Sequence, residues 1–301
     1  MGLVSLRPPV ALVLSGGGAQ GAAQAGAIVE LVEAGLRVDL VIGTSVGAWN
    51  GAWVARDLDP THVHRMLAWW LDPEVRSLFK GLRRGVLTAL ARRDSSALGD
   101  SRVRRLLQRT CGSWRLESLA VPLAVSAIDL LTGELVYLDH GDLCDAVRAA
   151  SAIPAVFPPV ALDGRLLVDA GFVDNFGVGE AISRGARSIV LIDASVGGIG
   201  DPPTTIRSVL DRANLVTRMH QRTAAGVLAA EAGVALEVVE VAITGSVLDF
   251  AAAAQQIAHG RAAARSRLDR TVAGGGSAFR TDTARPGEPV QHPNRGLARA
   301  L

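Results

Sequence analysis

Two apolar runs near the amino terminus each break into a small-residue turn and resume as an alanine-rich stretch: "VALVLSGGGAQGAAQAG" (10–26) and "VDLVIGTSVGAWNGAWVA" (38–55). No other feature restricts the fold as much. Strands that are apolar throughout must be covered on both faces, and a strand–helix repeat of this length does that in a parallel sheet layered between helices. The expected class is therefore α/β, a three-layer α/β/α sandwich with a mostly parallel central sheet.

The rest of the chain continues the pattern. Helices are expected at 19–34, from Ser45 to about 56, at 60–71, 101–110, 142–151, 204–231 and 249–270. Strands are expected at 10–14, 38–43, 187–195 and 236–243, with hairpins at 122–139 around Thr132-Gly133 and at 160–171 around Asp163-Gly164. In the helix at 204–231, Ile206, Val209, Ala213, Val216, His220 and Val227 fall on one stripe, which is expected to pack inward. Residues 8–270 are read as one domain, and 271–301, without periodicity, as a disordered tail. No internal repeat is present.

Bulk properties exclude several classes. A chain of 301 residues that is 49% hydrophobic and 20% charged is globular and can bury a large core. A net charge of +2 gives no general reason to expect nucleic acid. Cys111 and Cys144 form no metal-ligand cluster and are read as free thiols of a reducing compartment. The first residues lack a signal-peptide layout, and no apolar stretch approaches the ~20 residues that span a bilayer. The expected location is the cytoplasm, with peripheral membrane contact left open.

Gly16, Gly18 and Gly21 satisfy the dinucleotide spacing G-x-G-x-x-G, and amides at such a turn bind an anion. The anion could be a cofactor pyrophosphate or an oxyanion formed during a reaction. A dinucleotide site also needs an acidic residue at the carboxyl end of the second strand. Asp39 stands at that strand's beginning; at its end stands Gly43-Thr44-Ser45-Val46-Gly47. A G-x-S-x-G sequence between a buried strand and a helix is the context of a nucleophile elbow, with Ser45 presented at the helix N-terminus. Neighbouring parallel strands would set the Gly16–Gly18 loop beside Ser45, where each amide donor to an oxyanion is worth about 3 kcal/mol. The loop is thus read as an oxyanion hole.

A serine needs a base. Of six histidines only His140 lies on a loop; His62, His64, His220 and His259 lie on helices and His292 in the tail. Asp169, ending the strand of "LLVDAGFVDN", is the better candidate. Its pKa must rise from about 3.9 to serve near neutral pH, and desolvation by Leu167 and Phe172 is the expected cause.

Taken in order, "SGGGAQG", "GTSVG" and "DAG" resemble the three signature blocks of the patatin-like phospholipases, and "AIDLLTGELVYLD" and "ASAIPAVFPPV" are similar to segments between them, so that the likeness spans roughly 10–195. The resemblance implies a patatin-like fold and a serine acyl hydrolase of phospholipids or lysophospholipids. It implies Ser45 as nucleophile, Asp169 as base, Gly16, Gly17 and Gly18 as oxyanion loop, and neither cofactor nor metal. Gly43, Gly47, Gly21 and Gly171 fall at further motif positions. The chain departs from the family pattern at Gln20, where a basic residue is usual, at Asp169-Ala170-Gly171 and at Asn175-Phe176-Gly177. If the missing charge limits the reaction, Gln20→Arg raises kcat/KM. Two rivals stay open: an esterase with a Ser-Asp-His triad, and a catalytically weak lipid- or acyl-binding protein.

The expected partner is a lipid or acyl-ester substrate. Within 72–100, Leu78, Phe79, Leu82, Val86 and Leu87 recur at helical spacing around Lys80, Arg83 and Arg84. A packed peripheral helix is the first reading of this stretch; an element resting on anionic lipid is the second.

Overall fold

The computed structural model describes residues 6–78, 94–99, 101–197, 199–242 and 249–273. Eight strands form one sheet: β1 (Val10–Leu14), β2 (Leu40–Thr44), β3 (Leu123–Asp129), β4 (Leu135–Leu138), β5 (Val160–Leu162), β6 (Arg165–Asp169), β7 (Ser188–Val196) and β8 (Ala235–Ala242). Their order is β5-β6-β3-β2-β1-β7-β8, with β4 also paired to β3. From β3 to β8 the neighbours are parallel, while the hairpin strands β4, β5 and β6 pair antiparallel.

Alternation along the strands divides the core in two. Leu12, Leu14 and Val41 face one layer, made by α1 (Gly21–Glu33), α2 (Val46–Arg56), α3 (Pro60–Leu71), α4 (Pro73–Arg76), α5 (Ser101–Cys111), α6 (Leu143–Ala150) and α9 (Ala253–Ala273). Ala11, Val13 and Ile42 face the other, against α7 (Val178–Ser183) and α8 (Ile206–Glu231). The sandwich has the three layers expected, and both hairpins form where their turns placed them. Asp39 accepts from the Val10 amide at 2.7 Å at the amino edge of the sheet, far from the turns that end β1 and β2.

Two expectations change. The stripe on α8 does not pack: Ile206 is 84% exposed and Val209 50%, Val216 and Val227 are exposed, and so is His220. The helix buries its opposite side, through Ala225 and Ala229. Second, α9 runs to Ala273, so the first three residues of the expected tail are helical; 274–301 lie outside the described residues. In the 72–100 stretch Leu78 is buried, while Phe79, Lys80, Leu82, Arg83, Arg84, Val86 and Leu87 lie outside the described residues.

Candidate active site

The register of β3 explains how two distant segments meet. Thr44, the last residue of β2, pairs with Ser126, and the next residue of β3, Ala127, pairs with Asp169. Residues 127 and 128 of β3 are also paired to β4. Each edge of a strand accepts one neighbour, so β6 occupies the same edge as β2 and begins where β2 stops. Ser45 leaves the sheet at the point where Asp169 arrives. A hydroxyl pair, Thr44 Oγ1 and Ser126 Oγ at 2.8 Å, fastens the junction.

Ser45 has φ 54° and ψ −122°, a conformation that non-glycine residues rarely adopt and that costs about 1–3 kcal/mol. The two glycines around it are forced by crowding. A Cβ on Gly47 would lie 2.1 Å from the Leu14 carbonyl oxygen, and one on Gly43 2.7 Å from the Gly47 oxygen. The strained turn therefore lies tight against the end of β1 and presents Ser45 at the N-terminus of α2, where partial positive charge favours an anion.

The loop after β1 lies beside this turn. A Cβ on Gly16 would be 3.0 Å from the Ser45 Cβ, and one on Gly17 2.7 Å from the Ala194 oxygen at the end of β7. Gly18 has a φ of 59°, at which a side chain is strained. Asn175, buried, holds the Gly16 peptide at both ends: its Oδ1 accepts from the Gly16 amide at 3.1 Å, and its Nδ2 donates to the Gly16 oxygen at 3.2 Å. The Gly16 amide is thereby occupied. Gly17 and Gly18 keep amides without an acceptor among the described residues. Beneath the loop, Gln24 donates to the oxygens of Ser15 and Ile192, and Asn50 donates to the oxygen of Gly21. Sequence reasoning met Asn175 only as a departure from a motif. Its double clamp joins residues 159 apart and leaves no local signal.

Asp169 is buried, and burial pushes its carboxyl up to about 6 against the opposing pull of the Ser45 hydroxyl, the Gly171 amide and the Arg218 charge. The Gly171 amide donates to Oδ1 at 2.8 Å. Of the two expected desolvating neighbours, Leu167 is buried but Phe172 is 48% exposed. The Ser45 hydroxyl lies close enough to the Asp169 carboxyl to pull on its charge.

An apolar cleft opens at Ser45 and Gly18, walled by Val46, Trp49, Leu78, Ile153 and Phe250, all on the α2 side of the sheet. None of the described histidines hydrogen-bonds Ser45 or Asp169: His140 pairs with Asp139, His64 with Glu33, and His62 meets the Trp53 oxygen. Gln20 does not line the cleft. It is fully buried, and its carboxamide has no hydrogen-bond partner among the described residues. An arginine there would carry an unpaired charge into the interior, so the expected gain from Gln20→Arg becomes an expected loss of stability. Cys111 and Cys144 are both buried free thiols.

The chain is similar to several known proteins over much of its length. The chain is 32% identical over 225 residues to an NTE family protein of Mycobacterium bovis, covering 73% of this chain and 58% of that one. It is 32% identical over 200 residues to lysophospholipase nte1 of Aspergillus terreus, covering 64% of this chain. It is 31% identical over 186 residues to human patatin-like phospholipase domain-containing protein 6, covering 61% of this chain. This chain spans 12% of the fungal protein and 13% of the human one. Among solved structures, VipD of Legionella pneumophila aligns with 88% of this chain and 67% of its own at a TM-score of 0.48 and 14% identity. A family model for patatin-like phospholipases matches residues 12–182, from β1 through α7 and thus across Ser45, Asp169 and the glycine loop, and the chain belongs to that family.

Proposed function

We propose that this chain is a serine lipid acyl hydrolase that cleaves carboxylic esters of phospholipids or lysophospholipids with Ser45 as nucleophile and Asp169 as general base. The observation that carries this reading is a buried carboxyl raised to about 6 beside a serine in an elbow conformation. Asp169 takes the Ser45 proton as Oγ attacks the ester carbonyl. The carbonyl oxygen becomes an oxyanion facing the amides of Gly17 and Gly18, with the positive end of α2 nearby. Collapse of the tetrahedral intermediate returns the proton to the leaving alcohol and leaves an acyl group on Ser45. Water activated by Asp169 then hydrolyses that ester. The apolar cleft beside Ser45 takes the acyl chain.

Relatives named as lysophospholipases and phospholipases support the substrate class. Among the described residues no helix is long and apolar enough to cross a membrane. Ser45→Ala tests the reading. It should lower p-nitrophenyl butyrate hydrolysis by about a thousandfold or more with an unchanged melting temperature. Activity close to wild type would end this assignment.

A further inference from the structure

The inner face of α8 carries charge where a packed helix ordinarily carries apolar residues. Arg222 on that face lies 3.6 Å from Asp193 of β7 and also pairs with Glu240 of β8. Arg218 precedes Arg222 by one turn on the same face, about 6 Å closer to the N-terminus of α8. The direction matters because α8 crosses over between parallel strands. Its C-terminus turns into Ala235, the partner of Ser188 at the amino edge, so its N-terminus lies at the carboxyl edge. Asp193 precedes Ala194, whose oxygen abuts Gly17. Arg218 is thereby set level with the glycine loop, on the face of the sheet opposite the apolar cleft.

Arg218 has no ion pair and no hydrogen bond among the described residues, although it is half-buried. Its charge acts on Asp169, and it is itself acted on by Asp169, Asp193 and Asp211. A guanidinium has five donors, and none of those of Arg218 has an acceptor among the described residues, which leaves them free to take one from a ligand. Burial disfavours the charge, and Asp169, Asp193 and Asp211 offset that in part without an ion pair to Arg218 among the described residues.

We propose that Arg218 receives the phosphate of a glycerophospholipid substrate while the acyl chain occupies the cleft on the other face of the sheet, with the scissile ester at Ser45 between them. The proposal rests on the reading of Ser45 and Asp169 as the catalytic pair and adds the head-group side of the same site. A phosphodiester monoanion offers the two coplanar oxygens that a guanidinium binds in parallel.

The test compares lysophosphatidylcholine with p-nitrophenyl butyrate at about pH 8, where Asp169 is ionised. In Arg218→Gln the ratio of kcat/KM for phospholipid to that for ester should fall about tenfold or more, carried by KM, and Arg218→Lys should restore part of it. The lysine variant carries the comparison should the glutamine variant lose its fold. Three outcomes would overturn the proposal. The ratio stays put in both variants; both substrates lose activity by the same factor, which would mean that Arg218 acts only through Asp169; or the wild type cleaves the ester and leaves the phospholipid intact. Failure of the catalytic pair itself would register separately, as ester hydrolysis surviving in Ser45→Ala.

Discussion

At the scale of single residues, Asp169 is where proposed chemistry and stability conflict. Its pKa stands at about 6 in the folded protein against an ordinary 3.8, because burial penalises the charged form. The native state therefore holds this proton more tightly than the unfolded chain does. Stability from this group is greatest below 3.8 and is lost as pH rises to about 6, a difference of about 3 kcal/mol. Asp169→Asn removes the ionisation and can keep the hydrogen bond from Gly171. The expected outcome at about pH 8 is a higher urea midpoint together with ester hydrolysis reduced nearly as far as in Ser45→Ala, whereas near pH 4 the two proteins should unfold together. A lower midpoint at pH 8 would show that burial is not what raises this carboxyl. In the wild type, kcat/KM should rise with pH through about 6, as the base loses its proton.

Among the elements, α8 and the α1–α9 pair give contrasting expectations. The apolar stripe of α8 faces outward, so Ile206→Ser and Val209→Ser together should move stability by less than about 0.5 kcal/mol per site in urea unfolding. A loss of several kcal/mol would mean that the stripe is packed after all. Where α1 crosses α9 the margin is absent. A Cβ on Gly260 would sit 1.7 Å from the Ala23 oxygen, and one on Gly26 2.2 Å from the Ile257 oxygen. Gly260→Ala must push the helices apart, at an expected cost of about 1–3 kcal/mol. Because the glycine loop leads directly into α1, ester hydrolysis should fall in the same variant, measured under conditions where it remains folded. An unchanged melting temperature would mean that the helices separate freely.

For the whole molecule, what the sequence determines is what neighbouring residues impose on one another. Apolar runs broken by glycine turns dictate the parallel α/β/α architecture, Thr132-Gly133 and Asp163-Gly164 dictate the hairpins, and the glycines around Ser45 mark a turn too tight for side chains. Ser45 and Asp169 could each be named from their places at strand ends. The sequence does not determine which edge of β3 the strand β6 takes, and only that choice brings Asp169 to Ser45. Nor does it place Asn175 on the Gly16 peptide or bring the Arg218 charge to bear on Asp169, since both effects join segments far apart in the chain. The stripe on α8 shows the same division. Periodicity fixes which residues share a helix face, but whether that face is covered depends on what the rest of the chain packs against it, and Ala225 and Ala229 hold α8 to the sheet by its other side.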